Sequence, residues 1–261
     1  MSRLSTSLEK PFTKTLQFKN EKFDKKLKKV TQEKGWYYYV PSTVEGEKGT
    51  NVMVEMPFTA LWLLSAQSFS GYNELEKASV YSNEVLSERD LKDFFPKNTG
   101  ENVEDYYARL KSYMMLTAKM GKETIATGFY IDIKDAVVSK GGKYCQPNYF
   151  LAINEDGTTE IVRILFSGGS VETWIPFSGN KNGLKTKGVS FSGTTEKEKG
   201  SVQYDSPTFE FVDVDSKYVK AADAAAQTVV DYFKFLIGDS KTEVTELETV
   251  DAEDTQKMPW D

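Results

Sequence analysis

The stretch NYFLAINEDGTTEIVRILF, Asn148 to Phe166, places two runs of β-branched and aromatic residues on either side of Asp156-Gly157. Asp-Gly is a dipeptide that accepts the backbone of a tight hairpin turn, so the stretch predicts two antiparallel strands. Outward from it, FTKTLQFK (Phe12 to Lys19) alternates apolar with polar side chains, and GWYYYVP (Gly35 to Pro41) and TNVMVEMPF (Thr50 to Phe58) read as further strands. SVYSNEV (Ser79 to Val85), TIATGFYIDI (Thr124 to Ile133) and PTFEFVDV (Pro207 to Val214) continue the pattern.

Two segments read as helices. In NVEDYYARLKSYMMLTAKM (Asn102 to Met120) apolar positions recur every three or four residues, and Gly121 provides a stop. In SKYVKAADAAAQTVVDYFKFLIG (Ser216 to Gly238) Ser216 provides a cap, while Tyr218, Ala222, Ala225, Val229, Phe233 and Leu236 make one stripe. Short strands joined locally, with no β–α alternation, predict a mainly β (α+β) fold: an antiparallel barrel or sandwich with helical additions rather than a doubly wound sheet. Trp62, Trp174 and Phe177 are assigned to its core. The domain division is 1–238 for the folded body and 239–261 for a disordered acidic tail.

Charge divides along the same line. Residues 239–261 hold eight acids and two bases, which is the whole net charge of −6, so the rest is balanced at 31 of each sign. Residues 1–35 hold ten basic and four acidic side chains, and Gly179 to Gly188 adds Lys181, Lys185 and Lys187 with no acid. An acidic segment tethered to a partly basic body competes with a polyanion for its surface.

Catalytic machinery is sparse. The chain has no histidine and a single cysteine, Cys145. That removes Ser-His-Asp and Cys-His catalysis, imidazole ligation and any intrachain disulfide. No P-loop, zinc or dinucleotide motif is present, and no cofactor is expected. Asp132 and Lys134, in IDIK, have the Asp-x-Lys spacing of some Mg²⁺-dependent nucleases, and an exposed strand with a charged pair explains them as well. The longest apolar run, Phe58 to Ala66, is too short to cross a bilayer, and the first residues lack a secretory signal. The expectation is a cytoplasmic protein with no membrane partner.

Binding an unpaired strand without sequence choice takes cations for the phosphates and aromatic faces for the bases. The candidates are Lys14, Lys19, Trp36, Tyr38, Lys140, Lys143, Tyr144, Tyr149, Lys181, Lys185 and Lys187, with Lys140 to Phe150 flanking a flexible glycine pair. Together with the acidic C-terminal run, this arrangement resembles the single-stranded DNA-binding proteins of bacteriophages, and more loosely those of bacteria. The matching tail positions are Asp251, Glu253, Asp254, Pro259, Trp260 and Asp261, with Lys257 interrupting the acids and the aromatic residue penultimate.

The resemblance implies an oligonucleotide-binding (OB) barrel that coats single-stranded DNA in replication, recombination and repair. It also implies a tail that recruits polymerase, primase or helicase, while self-association is left open, since proteins of this class act as monomers, dimers or cooperative filaments. The alternative is a protein-interaction or virion structural module that binds no nucleic acid.

Overall fold

The computed structural model describes residues 10–24, 26–43 and 49–239. The predicted hairpin is its centre. Strand β11 (Gly142–Ile153) pairs antiparallel with β12 (Thr159–Ser167), from Cys145 opposite Ser167 to Ile153 opposite Thr159. In the turn, Asp156 Oδ1 accepts from the Thr158 backbone N–H at 2.9 Å and from its hydroxyl at 2.6 Å.

On its other edge β11 pairs with β6 (Phe58–Asn73), a 16-residue strand whose first half is the apolar run noted above. One extra residue on β6, between the Tyr149–Leu64 and Phe150–Trp62 pairs, makes a bulge there. On the far side of β12 lie β1 (Lys14–Lys19), β4 (Gly35–Val40) and β5 (Thr50–Val54). A separate ribbon of β2 (Lys22–Asp24) and β3 (Lys29–Gln32) stands between β1 and β4. The outer edge of β6 changes partner along its length. It pairs with β13 (Gly188–Lys199), then β8 (Val85–Leu86), then β7 (Ala78–Ser82). β13 carries β14 (Val202–Val212), and β7 carries β9 (Leu116–Met120) and β10 (Glu123–Gly128).

The architecture is mainly β, as expected, but the sheet is mixed and does not close into an antiparallel barrel. β1 runs parallel to β12, and β5, β10 and β14 each have one ladder partner among the described residues. The sheet instead curls, and side chains span the gap. Trp36 on β4 meets Phe58 and Phe191 across the interior, and Lys34 Nζ lies 2.9 Å from Asp205 on β14.

The inner face holds Leu16, Phe18, Trp36, Phe150, Ile164, Phe166 and Phe191, closed by Trp174 of α4 (Gly169–Ser178) and Leu184 of α5 (Lys181–Thr186). The outer face buries Leu61, Leu64, Tyr149 and Leu151 under α1 (Glu88–Phe94), α2 (Val103–Tyr113) and α6 (Ser216–Asp239). In α6 the predicted stripe is the packed face: Ala222, Ala225, Val229 and Phe233 are buried. No helix among the described residues is long and apolar enough to cross a membrane.

Two predicted elements change identity midway. The helix expected over 102–120 starts as foreseen, with Asn102 Oδ1 accepting from the Asp105 N–H at 2.8 Å, but ends at Tyr113. Beyond it, Leu116 and Ala118 alternate into a third cluster with Phe69 and Val80, so period-2 packing against β7 outweighs helical continuation. The strand expected over 124–133 ends at Gly128, and α3 (Tyr130–Ser139) follows, because Ile133 and Val137 one turn apart fill the same cluster. The glycine pair after α3 is a tight contact and not a loose hinge: a Cβ on Gly141 would lie 2.4 Å from the Tyr72 carbonyl oxygen, and its φ is +88°.

Candidate nucleic-acid interface

Strand alternation sends Lys14 and Lys19 to opposite faces of β1, so the predicted lysines do not form one row. On the inner side, Lys14 Nζ is 5.1 Å from the Tyr38 ring centroid, but it is paired with Glu160 at 2.8 Å. Its charge is already neutralised.

Lys19 is different. Its Nζ donates to Asn51 Oδ1 at 2.8 Å and lies 5.5 Å from the Tyr37 ring. The hydrogen-bond partner is a neutral amide, and the neighbouring charge is a second cation. Partial burial pushes the Lys19 pKa down, and Lys22 adds to the shift. Tyr37 sits opposite Met53 and Tyr39 opposite Asn51, so both tyrosines share this outer face with Lys19. Tyr39 and Met53 are 40% and 43% exposed. Among the described residues, seven of the sixteen exposed large apolar or aromatic side chains (Leu27, Val30, Tyr39, Val40, Val52, Met53 and Met56) fall in one wing of the molecule.

The β2–β3 ribbon adjoins this wing and carries Lys22, Lys26, Lys28 and Lys29. Its turn is built by Asp24, whose Oδ1 accepts from the N–H groups of Lys26 and Leu27 at 2.8 and 3.0 Å, leaving the lysine side chains outward. The ribbon is anchored through Gln32 Nε2 to the Asn20 carbonyl at 2.8 Å.

A second outer-face row lies on the opposite wing. Ladder register aligns Lys143, Ser70, Tyr81, Lys119 and Thr124 across β11, β6, β7, β9 and β10. Tyr81 and Lys119 were not singled out from sequence, because only the pairing of distant strands sets them beside Lys143. Between the wings, Glu84 contacts Arg163 and accepts from the Tyr149 hydroxyl at 2.7 Å.

Two predicted base-stacking residues are corrected. Trp36 is fully buried, with Phe18, Phe58, Phe166 and Phe191 as ring neighbours. Tyr149 is 1% exposed beneath α6. Neither ring reaches a base while the protein is folded. Tyr144 is half-buried on the inner side, edge-on to Tyr130, and burial pushes its pKa up to about 12. Lys140 is the exposed C-cap of α3. Lys181 lies 5.7 Å from the Trp62 ring, Lys185 is exposed, and Lys187 pairs with Asp213 at 3.0 Å. Trp174 is core as expected, Phe177 packs against the same cluster, and Trp62 is only half-buried.

Asp132 and Lys134 lie on helix α3, two residues and therefore about 200° apart, so the paired strand face expected of them is absent. Among the described residues no group of three or more acidic or thiol side chains is placed to hold a metal ion. The tail positions Asp251, Glu253, Asp254, Pro259, Trp260 and Asp261 lie outside the described residues. Comparison with protein-family models, curated proteins and solved structures finds no match for this chain.

Proposed function

We propose that the protein binds single-stranded DNA without strong sequence preference on the outer face of β1, β4 and β5 and on the adjoining lysine ribbon. The observation that carries this reading is Lys19: a partly desolvated cation with an amide partner, beside Tyr37, Tyr39 and Met53 and next to a second cation. That combination favours an anion and a flat apolar group together, which is the chemistry of a nucleotide. An open, curled relative of the oligonucleotide-binding barrel is the architecture this reading implies.

In this reading the acidic C-terminal run recruits replication proteins (polymerase, primase or helicase) and competes with DNA for the lysines. Work in the cytoplasm on transiently unpaired strands, with self-association along them, belongs to the same proposal.

The test is fluorescence anisotropy with labelled oligo-dT at rising salt, on the full chain and on a chain ending at Asp239. Affinity should fall steeply with salt, because each phosphate contact releases counterions, and removal of the tail should tighten binding. Failure of both proteins to bind at low salt overturns the proposal.

One observation favours a second reading, a protein-interaction module. The β4–β5 ribbon exposes apolar side chains on both faces, Val40 and Val52 on one and Tyr39 and Met53 on the other, at a strand edge with no ladder partner among the described residues. Concentration-dependent assembly with no oligo-dT signal would establish it.

A further inference from the structure

Between its ladders with β13, which ends at Ala60, and with β8, which begins at Ala66, the outer edge of β6 has no strand partner among the described residues. Trp62 lies in this interval. Its indole N–H donates to Ser65 Oγ at 3.1 Å and to Asn148 Oδ1 at 3.2 Å. Asn148 is fully buried and is held in turn by Trp174 Nε1 at 3.2 Å and by its own donation to the Gln146 carbonyl at 3.0 Å. One edge of the Trp62 ring is therefore fixed while the rest stays half open. Trp36 and Trp174 each have four ring neighbours, whereas no ring–ring contact is made by Trp62 among the described residues.

One cation sits on this ring, and a second lies close to the first. Lys181, the first residue of α5, sits 5.7 Å from its centroid. Arg89, from the first turn of α1, is close enough to add to the depression of the Lys181 pKa that burial causes, with Asp90 opposing. Asp90 contacts Arg89 at 3.4 Å and its other oxygen accepts from the Ser87 hydroxyl at 2.7 Å, so one carboxylate stands against two cations. An indole anchored by its edge, with Lys181 over it, Arg89 close to Lys181 and one carboxylate against the two cations, fits one base and one phosphate.

We infer that Trp62, Lys181 and Arg89 form a single-nucleotide subsite, in which a base stacks on the indole and its phosphate lies between the two cations. Lys181 is a placeholder on the ring. A cation over a half-exposed ring is held more weakly than a stacked base, and the phosphate gives Lys181 a stronger partner when the base displaces it. The inference rests on the proposed binding of single strands but places a contact away from the β1–β4–β5 face, at the opposite edge of β6.

The experiment uses the full chain carrying Trp260→Phe, so that Trp62 is the accessible indole beside the buried Trp36 and Trp174. Oligo-dT is titrated with anisotropy and tryptophan emission read together. Saturating oligo-dT should quench emission. Lys181→Gln combined with Arg89→Gln should weaken binding about 10-fold and lower the slope of log affinity against log salt by about 0.7, the loss of one phosphate contact. Arg89 is exposed and Lys181 is partly buried, and an unchanged melting temperature confirms that the fold is intact.

Binding without quenching, with the double variant matching its parent in affinity and slope, overturns the subsite and leaves the β1–β4–β5 reading standing. No oligo-dT binding by the parent protein overturns both.

Discussion

Trp36 and Phe191 meet edge to face, with ring centroids 5.4 Å apart and planes at 88°, although they lie on strands β4 and β13 that share no ladder. This contact holds the curled sheet together where backbone pairing does not. It also accounts for Trp36 as the most buried ring of GWYYYV, with exposure rising along the strand to Tyr39. Truncation to Trp36→Ala should remove about 3–5 kcal/mol of stability, read as a lower urea midpoint, because the cavity opens at the centre of a fixed ring cluster.

The opposite result is expected at the surface. Tyr39→Ala should lower the urea midpoint far less than Trp36→Ala, by about 1 kcal/mol, because the ring is 40% exposed and loses one surface hydrogen bond, from the Gly49 N–H. In oligo-dT anisotropy it should weaken binding by about 1–3 kcal/mol, the worth of one stacked base. Lys19→Gln should lower the salt slope by about 0.7, the share of one phosphate on a single strand. Equal affinity and slope in both variants and the parent would remove the β1–β4–β5 face from the interface.

Stability should fall at alkaline pH. Burial pushes the Cys145 thiol from 9.0 up to about 12, so above pH 9 the unfolded chain releases a proton that the folded chain keeps. The contribution is fully present below pH 9 and is lost at about 1.4 kcal/mol per pH unit up to pH 12. Tyr149, raised in the same sense by burial and then by Glu84, steepens the loss above pH 10. Urea midpoints at pH 8 and pH 10.5 should differ less in Cys145→Ala than in the parent. Cys145 should also resist thiol reagents until the protein is unfolded.

At acid pH the sign reverses. Arg109 donates from Nε and Nη2 to the two oxygens of Glu101, each at 2.8 Å, and with the Asn98 N–H this holds the Glu101 carboxyl down to about 2. A depressed carboxyl stabilises the fold above its ordinary value of 4.5 and loses that contribution as pH falls toward 2. Glu101→Gln should therefore melt lower than the parent at pH 7, and the two melting curves should converge by pH 2. A gap that persists at pH 2 would show that the pairing is not its source.

The hairpin around Asp156-Gly157, the strands at 12–19, 35–41 and 207–214 and the helix at 216–238 were legible because each is set by short-range periodicity and local turn chemistry. Helix α2 was half legible: Asn102 marks its start, but its stop at Tyr113 depends on β7 accepting Leu116 and Ala118. The same holds for α3, whose Ile133 and Val137 fill a space that Phe69 and Val80 create. Helices α1, α4 and α5 were not foreseen. They are short, and they exist because the sheet beneath them offers a face to cover.

The candidate site divides in the same way. Sequence alone determined that cations crowd residues 1–35, that acids crowd the C-terminal run, and that the catalytic groups of histidine chemistry are absent, because composition needs no fold. It also determined that alternate residues of GWYYYV face opposite ways, which is a property of any strand. Which of those faces is interior was decided only by tertiary structure: Trp36 turned inward because β13 and β6 place Phe191 and Phe58 against it. Tertiary structure likewise decided that Glu160 neutralises Lys14 while Lys19 meets an amide, and that Lys181 lies over the ring of Trp62, 119 residues before it in the chain. Burial and charge compensation depend on neighbours distant in sequence, and the chain acquires those neighbours only by folding.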